Sequence, residues 1–145
     1  MSEYVNANGR FDKLNPTVQM LGRWQPWHAG HTELFKRCFA ITGQVCIMIR
    51  QVPEKREANS RVPGQDDNPF DILQVQDNIV KNLGKEGFTC GDDYVIMVVP
   101  NIVDISYGRG VGYTFTEHDL GNEIHNISAT KIRADLRAKG LLDWK

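Results

Sequence analysis

The chain has no apolar run approaching the roughly 18 residues that a membrane-crossing helix needs, and no internal repeat divides its 145 residues. It also lacks an excess of either charge, since 17 Lys and Arg face 18 Asp and Glu and leave a formal net charge of −1. A nucleic-acid binder that relies on bulk positive charge is thereby disfavoured, although a local basic pocket is allowed. Cysteine is scarce. Cys38, Cys46 and Cys90 are odd in number and show no C-x-x-C spacing. Two of them sit in apolar surroundings, so they read as free, buried thiols. Met1 to Leu14 is polar, without an apolar core of the signal-peptide kind, and the expected compartment is the reducing cytoplasm. No cluster of His, Cys or carboxylate has structural zinc spacing. With no linker or low-complexity block, the expectation is one domain over 1–145, with 1–14 as a polar N-terminal extension.

What is present is an ordinary globular composition. Hydrophobic residues make up 41% and charged residues 24%, enough to fold around a core without a disulfide or metal staple. Thr17 to Gly22 is a short apolar segment that predicts a buried strand. From Ala29 to Ile41 the apolar residues fall at helical spacing, and Gly43 stops the run. Gln44 to Val52 predicts a second strand. Pro53 to Asn68 is charged and rich in turn formers, and its length suits a binding loop or lid. Asn68-Pro69 offers an N-cap and a first-turn proline for a helix carrying Ile72, Val75, Ile79, Val80 and Leu83 and closed by Gly84. Tyr94 to Val99 is apolar on both faces, as central parallel strands are. Ile102 to Tyr107 and Tyr113 to Thr116 supply a fourth and a fifth strand. Thr130 to Lys139 is a last helix, with Ile132 and Leu136 inward and Gly140 as its stop. This alternation predicts an α/β, Rossmann-like, doubly wound parallel sheet of about five strands.

Chemistry concentrates at the first strand-to-helix junction, where such a sheet binds phosphates. The junction reads Gly22-Arg23-Trp24-Gln25-Pro26-Trp27-His28-Ala29-Gly30-His31. Gly22 permits a sharp turn after the strand and Pro26 stiffens it. His28 and His31 are three apart, so at the mouth of a helix they share a side. Gly30 between them admits a close approach to the backbone. Two imidazoles, the Arg23 guanidinium and free helix amides then converge on a point that suits an anion. The structural alternative is a capped helix start with two structural histidines. Trp24 and Trp27 either wall a pocket or pack in the core. Arg50, at the end of the second strand, is a candidate phosphate contact. Tyr107 to Tyr113 is glycine-rich, with Arg109, but is not a dinucleotide fingerprint. Asp92-Asp93 reads as a turn, and His118 and His125 as loop histidines.

G-R-W-Q-P-W-H-A-G-H resembles the H-x-G-H signature of the nucleotidyltransferase superfamily. Its fuller form is closest to nicotinamide-mononucleotide adenylyltransferases of the archaeal type and their bifunctional bacterial relatives. The superfamily's second signature, of form I-S-x-T-x-[IV]-R, is matched by Ile127-Ser128-Ala129-Thr130-Lys131-Ile132-Arg133. Ser128 or Thr130 can cap the last helix, and Lys131 and Arg133 add charge that grips phosphate. The structural alternative there is a well-capped basic helix. The resemblance spans residues 17–137, without a counterpart for 53–68 and 101–126.

The resemblance implies a nucleotidyltransferase in which His28, His31, Arg23, Lys131 and Arg133 act on the reaction. Gly22, Arg23, Trp24, Gln25, His28, Gly30, His31, Ile127, Ser128, Thr130 and Arg133 would bind the nucleotide. Mg²⁺ would arrive with it, with no metal ligands supplied by the protein. The donor is expected to be ATP. Relatives that use CTP often carry an arginine in an R-T-x-G stretch before the second signature, where this chain has Glu123-Ile124-His125-Asn126. The implied acceptor is a small phosphorylated molecule, with nicotinamide mononucleotide the nearest family example. Partners would be ATP or CTP and that acceptor, with neither nucleic acid nor membrane; a homo-oligomer is compatible with the resemblance. Two alternatives stay open: a cytidylyltransferase acting on a sugar or alcohol phosphate or phosphonate, and a nucleotide-binding module without turnover.

Overall fold

A computed structural model describes residues 11–52, 68–109, 112–120 and 129–139. Three parallel strands form the sheet: β1 (Val18–Gly22), β2 (Val45–Arg50) and β3 (Tyr94–Val99), in the order β1-β2-β3. The register pairs Met20 with Ile47 and Ile47 with Ile96. Parallel neighbours need crossovers, supplied by helix α1 (Ala29–Thr42) between β1 and β2 and helix α2 (Ile72–Lys85) between β2 and β3. Helix α3 (Ala129–Ala138) follows later in the chain.

Side-chain alternation along the strands decides which face carries the helices. Met20, Val45, Ile47, Ile49, Tyr94 and Ile96 pack with Phe35 and Cys38 of α1 and with Val75, Ile79 and Leu83 of α2. Both crossover helices therefore cover one face. On the other face Cys46 and Val95 pack against Phe11 and the partly buried Met48. Phe11 thus belongs to the core although it falls within the stretch read as a polar extension. Gln44 fastens this segment: its amide accepts from Asp12 N and donates to the Asp12 carbonyl and to Thr17 Oγ1.

The caps explain the helix bounds. Gly43 takes the left-handed conformation at φ 81° and ends α1, as expected of a C-terminal glycine. Helix α2 starts later than the sequence suggests. Asp71, not Asn68, is its N-cap, in a capping box with Gln74, and the helix runs past Gly84 to Lys85. Asn68 is instead buried and accepts from Arg23 Nη1 at 2.7 Å.

The expected fourth and fifth strands are not formed over 102–107 and 113–116. Val103, Ile105 and Tyr107 keep the alternating pattern of a strand but are exposed, as are Tyr113 and Phe115. Alternation marks strand tendency; a strand also needs a neighbouring edge to take its hydrogen bonds. Cys38 and Cys46 are buried free thiols, while Cys90 is half-buried. No helix among the described residues is long and apolar enough to cross a membrane.

Candidate functional site

The C-terminal ends of the strands bring Gly22 and Arg50 to one edge of the sheet. The turn from β1 into α1 is built there around two indoles. Gly22 contributes space, and its φ is not positive: a Cβ on it would lie 2.9 Å from the Trp24 ring. The sharp bend falls on Trp24, a non-glycine residue at φ 56°. Its indole is buried and donates to the Met48 carbonyl at 3.0 Å. Trp27 is also buried and donates from Nε1 to Thr32 Oγ1 at 2.8 Å. The Gln25–Pro26 peptide is cis.

The two histidines close a reciprocal cap on α1. His28 is the N-cap, and its Nδ1 accepts from Gly30 N at 3.0 Å. His31, at the third helical position, accepts from His28 N through its own Nδ1 at 3.1 Å. A neutral imidazole whose Nδ1 accepts must carry its proton on Nε2. The cap therefore fixes both tautomers and leaves two Nε2–H donors on one stacked pair, whose ring centroids are 3.7 Å apart.

The surroundings hold the pair neutral. The His31 ring lies 4.9 Å from the Trp24 ring, edge-on, and 5.4 Å from that of Trp27. Burial between these indoles, helped by the neighbouring His28, pushes the His31 pKa down to about 3. Burial also lowers that of His28. The turn differs from the expected convergence of two imidazoles, a guanidinium and free helix amides in that the amides are taken. Gly30 N is taken by His28 Nδ1, and His31 N and Thr32 N by the His28 carbonyl. What the turn offers an anion is chiefly a pair of uncharged, oriented donors. Gly30 itself is buried.

Around this pair the other expected site residues act largely as braces. The Gln25 amide bonds Phe70 twice: Nε2 donates to the Phe70 carbonyl at 2.9 Å, and Oε1 accepts from Phe70 N at 3.0 Å. Arg23 reaches Asn68 in the same segment. Arg133 is 1% exposed, and its Nη1 donates to the Gln25 carbonyl at 2.5 Å. A phosphate grip from the start of α3 would need an accessible guanidinium; this one instead ties α3 to the histidine turn. Arg50 donates to the Ile102 carbonyl at 3.3 Å, while its buried Nε has no hydrogen-bond partner among the described residues. Asp93 accepts from Thr89 N within a turn before β3. Ile127, Ser128, Gly110, His125 and 53–67 lie outside the described residues, and Thr130 and Lys131 fall in the first turn of α3.

Asn68, Phe70 and Thr32 were not read as part of the site. Only Asn68 carries a signal in the sequence, as a polar residue before Pro69, and that signal is the one of a helix cap. Among the described residues no group of three or more His, Cys, Asp or Glu could hold a metal. As set by the cap, the imidazoles present N–H donors and not lone pairs, so they do not suit a cation. No family model matches the chain, and neither does any curated protein.

Proposed function

We propose that the chain is a nucleotidyltransferase that moves a nucleoside monophosphate, AMP from ATP, to a small phosphorylated acceptor and releases pyrophosphate. The observation that carries this reading is the stacked pair His28 and His31, with both Nδ1 atoms in the cap of the helix that follows β1. An acceptor phosphate oxygen attacks the α-phosphorus, and the bond to the pyrophosphate oxygen breaks in line. No covalent enzyme intermediate is involved. The two Nε2–H groups donate to phosphate oxygens as charge builds on them, which is the form of catalysis that oriented donors in a partly desolvated site supply best. Arg23 adds positive charge at the same turn. By resemblance Ser128, Thr130 and Lys131 hold the departing phosphates, and Mg²⁺ enters as part of the nucleotide substrate.

The fuller fold belongs to this proposal as well. That fold is a doubly wound sheet of the nucleotidyltransferase type with about five strands, two more than the three among the described residues. We place the protein in the cytoplasm, with nicotinamide mononucleotide as the nearest acceptor.

The test is pyrophosphate release from ATP and from CTP against a panel of phosphorylated acceptors. Acceptor-dependent release with ATP supports the proposal, and preference for CTP replaces the adenylyl assignment with the cytidylyl one. A nucleotide-induced rise in the thermal midpoint without any release makes the chain a binding module. In an active protein His31→Gln should lower kcat by roughly a hundredfold, as loss of an oriented transition-state donor does.

A further inference from the structure

A second concave feature lies beside the histidine turn, between α2 and α3. It is a cleft of about 470 Å³, within the size range of small-molecule sites. Its floor is apolar: Trp24, Pro26 and Trp27 from the turn, Phe70 from before α2, and Leu136 from α3. Its wall is one stripe of α2, where Asn78, Lys81, Asn82 and Lys85 follow one another at helical spacing. From Gln74, at the apolar end, to Lys85 the stripe is about 16 Å long at 1.5 Å per residue.

The chemistry along that stripe is graded. Asn78 Nδ2 donates to the Trp27 carbonyl, and Asn82 Nδ2 to Asn78 Oδ1 and to its carbonyl. These bonds fix the carboxamides against the turn. At the far end Lys81 meets only the exposed Asp77, at 3.9 Å, and Lys85 makes no ion pair among the described residues. The lysines outnumber the single acidic residue of the cleft. One end therefore takes a flat apolar body and the other a negative charge.

We propose that this cleft is a binding site for a small organic anion with a flat apolar body, separate from the histidine pair. Trp24 and Trp27 stand between the two places, lining the cleft while packing around His31. Leu136 is seven residues along α3 from Ala129, about 10 Å from that helix start, so the cleft lies apart from the backbone amides that open α3. An occupant rests on the same indoles that keep His31 dry, which gives it a route to influence that residue.

Two probes sharing one body but differing in charge test the proposal: 1-anilinonaphthalene-8-sulfonate and the neutral N-phenyl-1-naphthylamine. On the full chain the sulfonate should bind once, with energy transfer from tryptophan, about tenfold more tightly than the neutral amine. The double variant Lys81→Glu, Lys85→Glu changes exposed side chains and should fold. It should remove the sulfonate's advantage and leave the amine unaffected. Saturating ATP should not displace the sulfonate. Equal affinities for the two probes, sulfonate binding unchanged in the double variant, or displacement by ATP would each overturn it.

Discussion

Replacing His31 by glutamine separates the histidine's charge from its role in the cap. Glutamine at the third helical position is a usual capping-box partner, so its Oε1 can accept the His28 N–H that Nδ1 accepts now. The titration, however, disappears. In the folded protein His31 ionises only near about pH 3, against 6.5 for an unperturbed imidazole. The unfolded chain therefore binds more protons over that interval, so stability falls as the pH drops through 6.5 and levels off near the folded value. Relative to neutral pH, the loss at about pH 5 is ~2 kcal/mol from this one group, following the difference between the two proton-binding curves. For a domain of this size that amounts to about 5–10 °C in Tm. Urea unfolding of wild type and His31→Gln at a series of pH values reads the effect, because contributions from carboxylates and from histidines that do not touch His31 cancel in the difference. The variant's stability should rise relative to wild type as the pH falls from about 7 to 5, and at high pH the gap should be constant. Parallel curves would refute the argument, since they would mean that the indole box does not keep the imidazole neutral.

Gly22→Ala should destabilise the fold by about 1–3 kcal/mol, the usual cost of forcing atoms into a packed site, because its new methyl would meet the Trp24 ring at 2.9 Å; denaturant midpoints and tryptophan fluorescence would report it, and a silent substitution would show that the indole moves freely. Arg133→Ala leaves the Gln25 carbonyl without this charge-assisted bond. It should lower stability by about 1–3 kcal/mol and weaken ATP and AMP binding to the same degree. A loss confined to ATP in calorimetric titrations would return Arg133 to the phosphates.

The sequence carried the repeating parts of the fold well, because these are governed by local rules. Gly43 marked the end of α1, and the apolar run Tyr94 to Val99 matched β3 residue for residue. The histidine spacing correctly placed two imidazoles on one side of a helix start. Their tautomers were not legible, because they depend on which nitrogen meets which backbone amide. Asn68 misled because an Asn before Pro fits a helix cap as well as it fits the buried partner of an arginine 45 positions away. Arg133 misled for a related reason. A basic residue in a segment that resembles a phosphate-binding signature and a buried brace look alike until the distant Gln25 carbonyl is placed beside it. Gly22 could be read only as flexibility, since the indole that needs its missing side chain is located by tertiary packing.

Gln25 makes one position unusually narrow in its chemical alphabet. Its carboxamide acts towards Phe70 as a neighbouring strand would, giving one donor and one acceptor to the same residue. Glutamate has the reach but no N–H, lysine and arginine cannot accept, and asparagine is one methylene short. A flipped amide would set like against like at both contacts. The same arrangement makes the position intolerant of deamidation. Hydrolysis of the side chain to a carboxylate would change only a nitrogen to an oxygen, yet it would turn an attraction to the Phe70 carbonyl into a repulsion. The new charge would sit at a residue only 6% exposed, where an unpaired carboxylate is costly. The lesion would loosen the start of α2 from the histidine turn while leaving both histidines chemically intact.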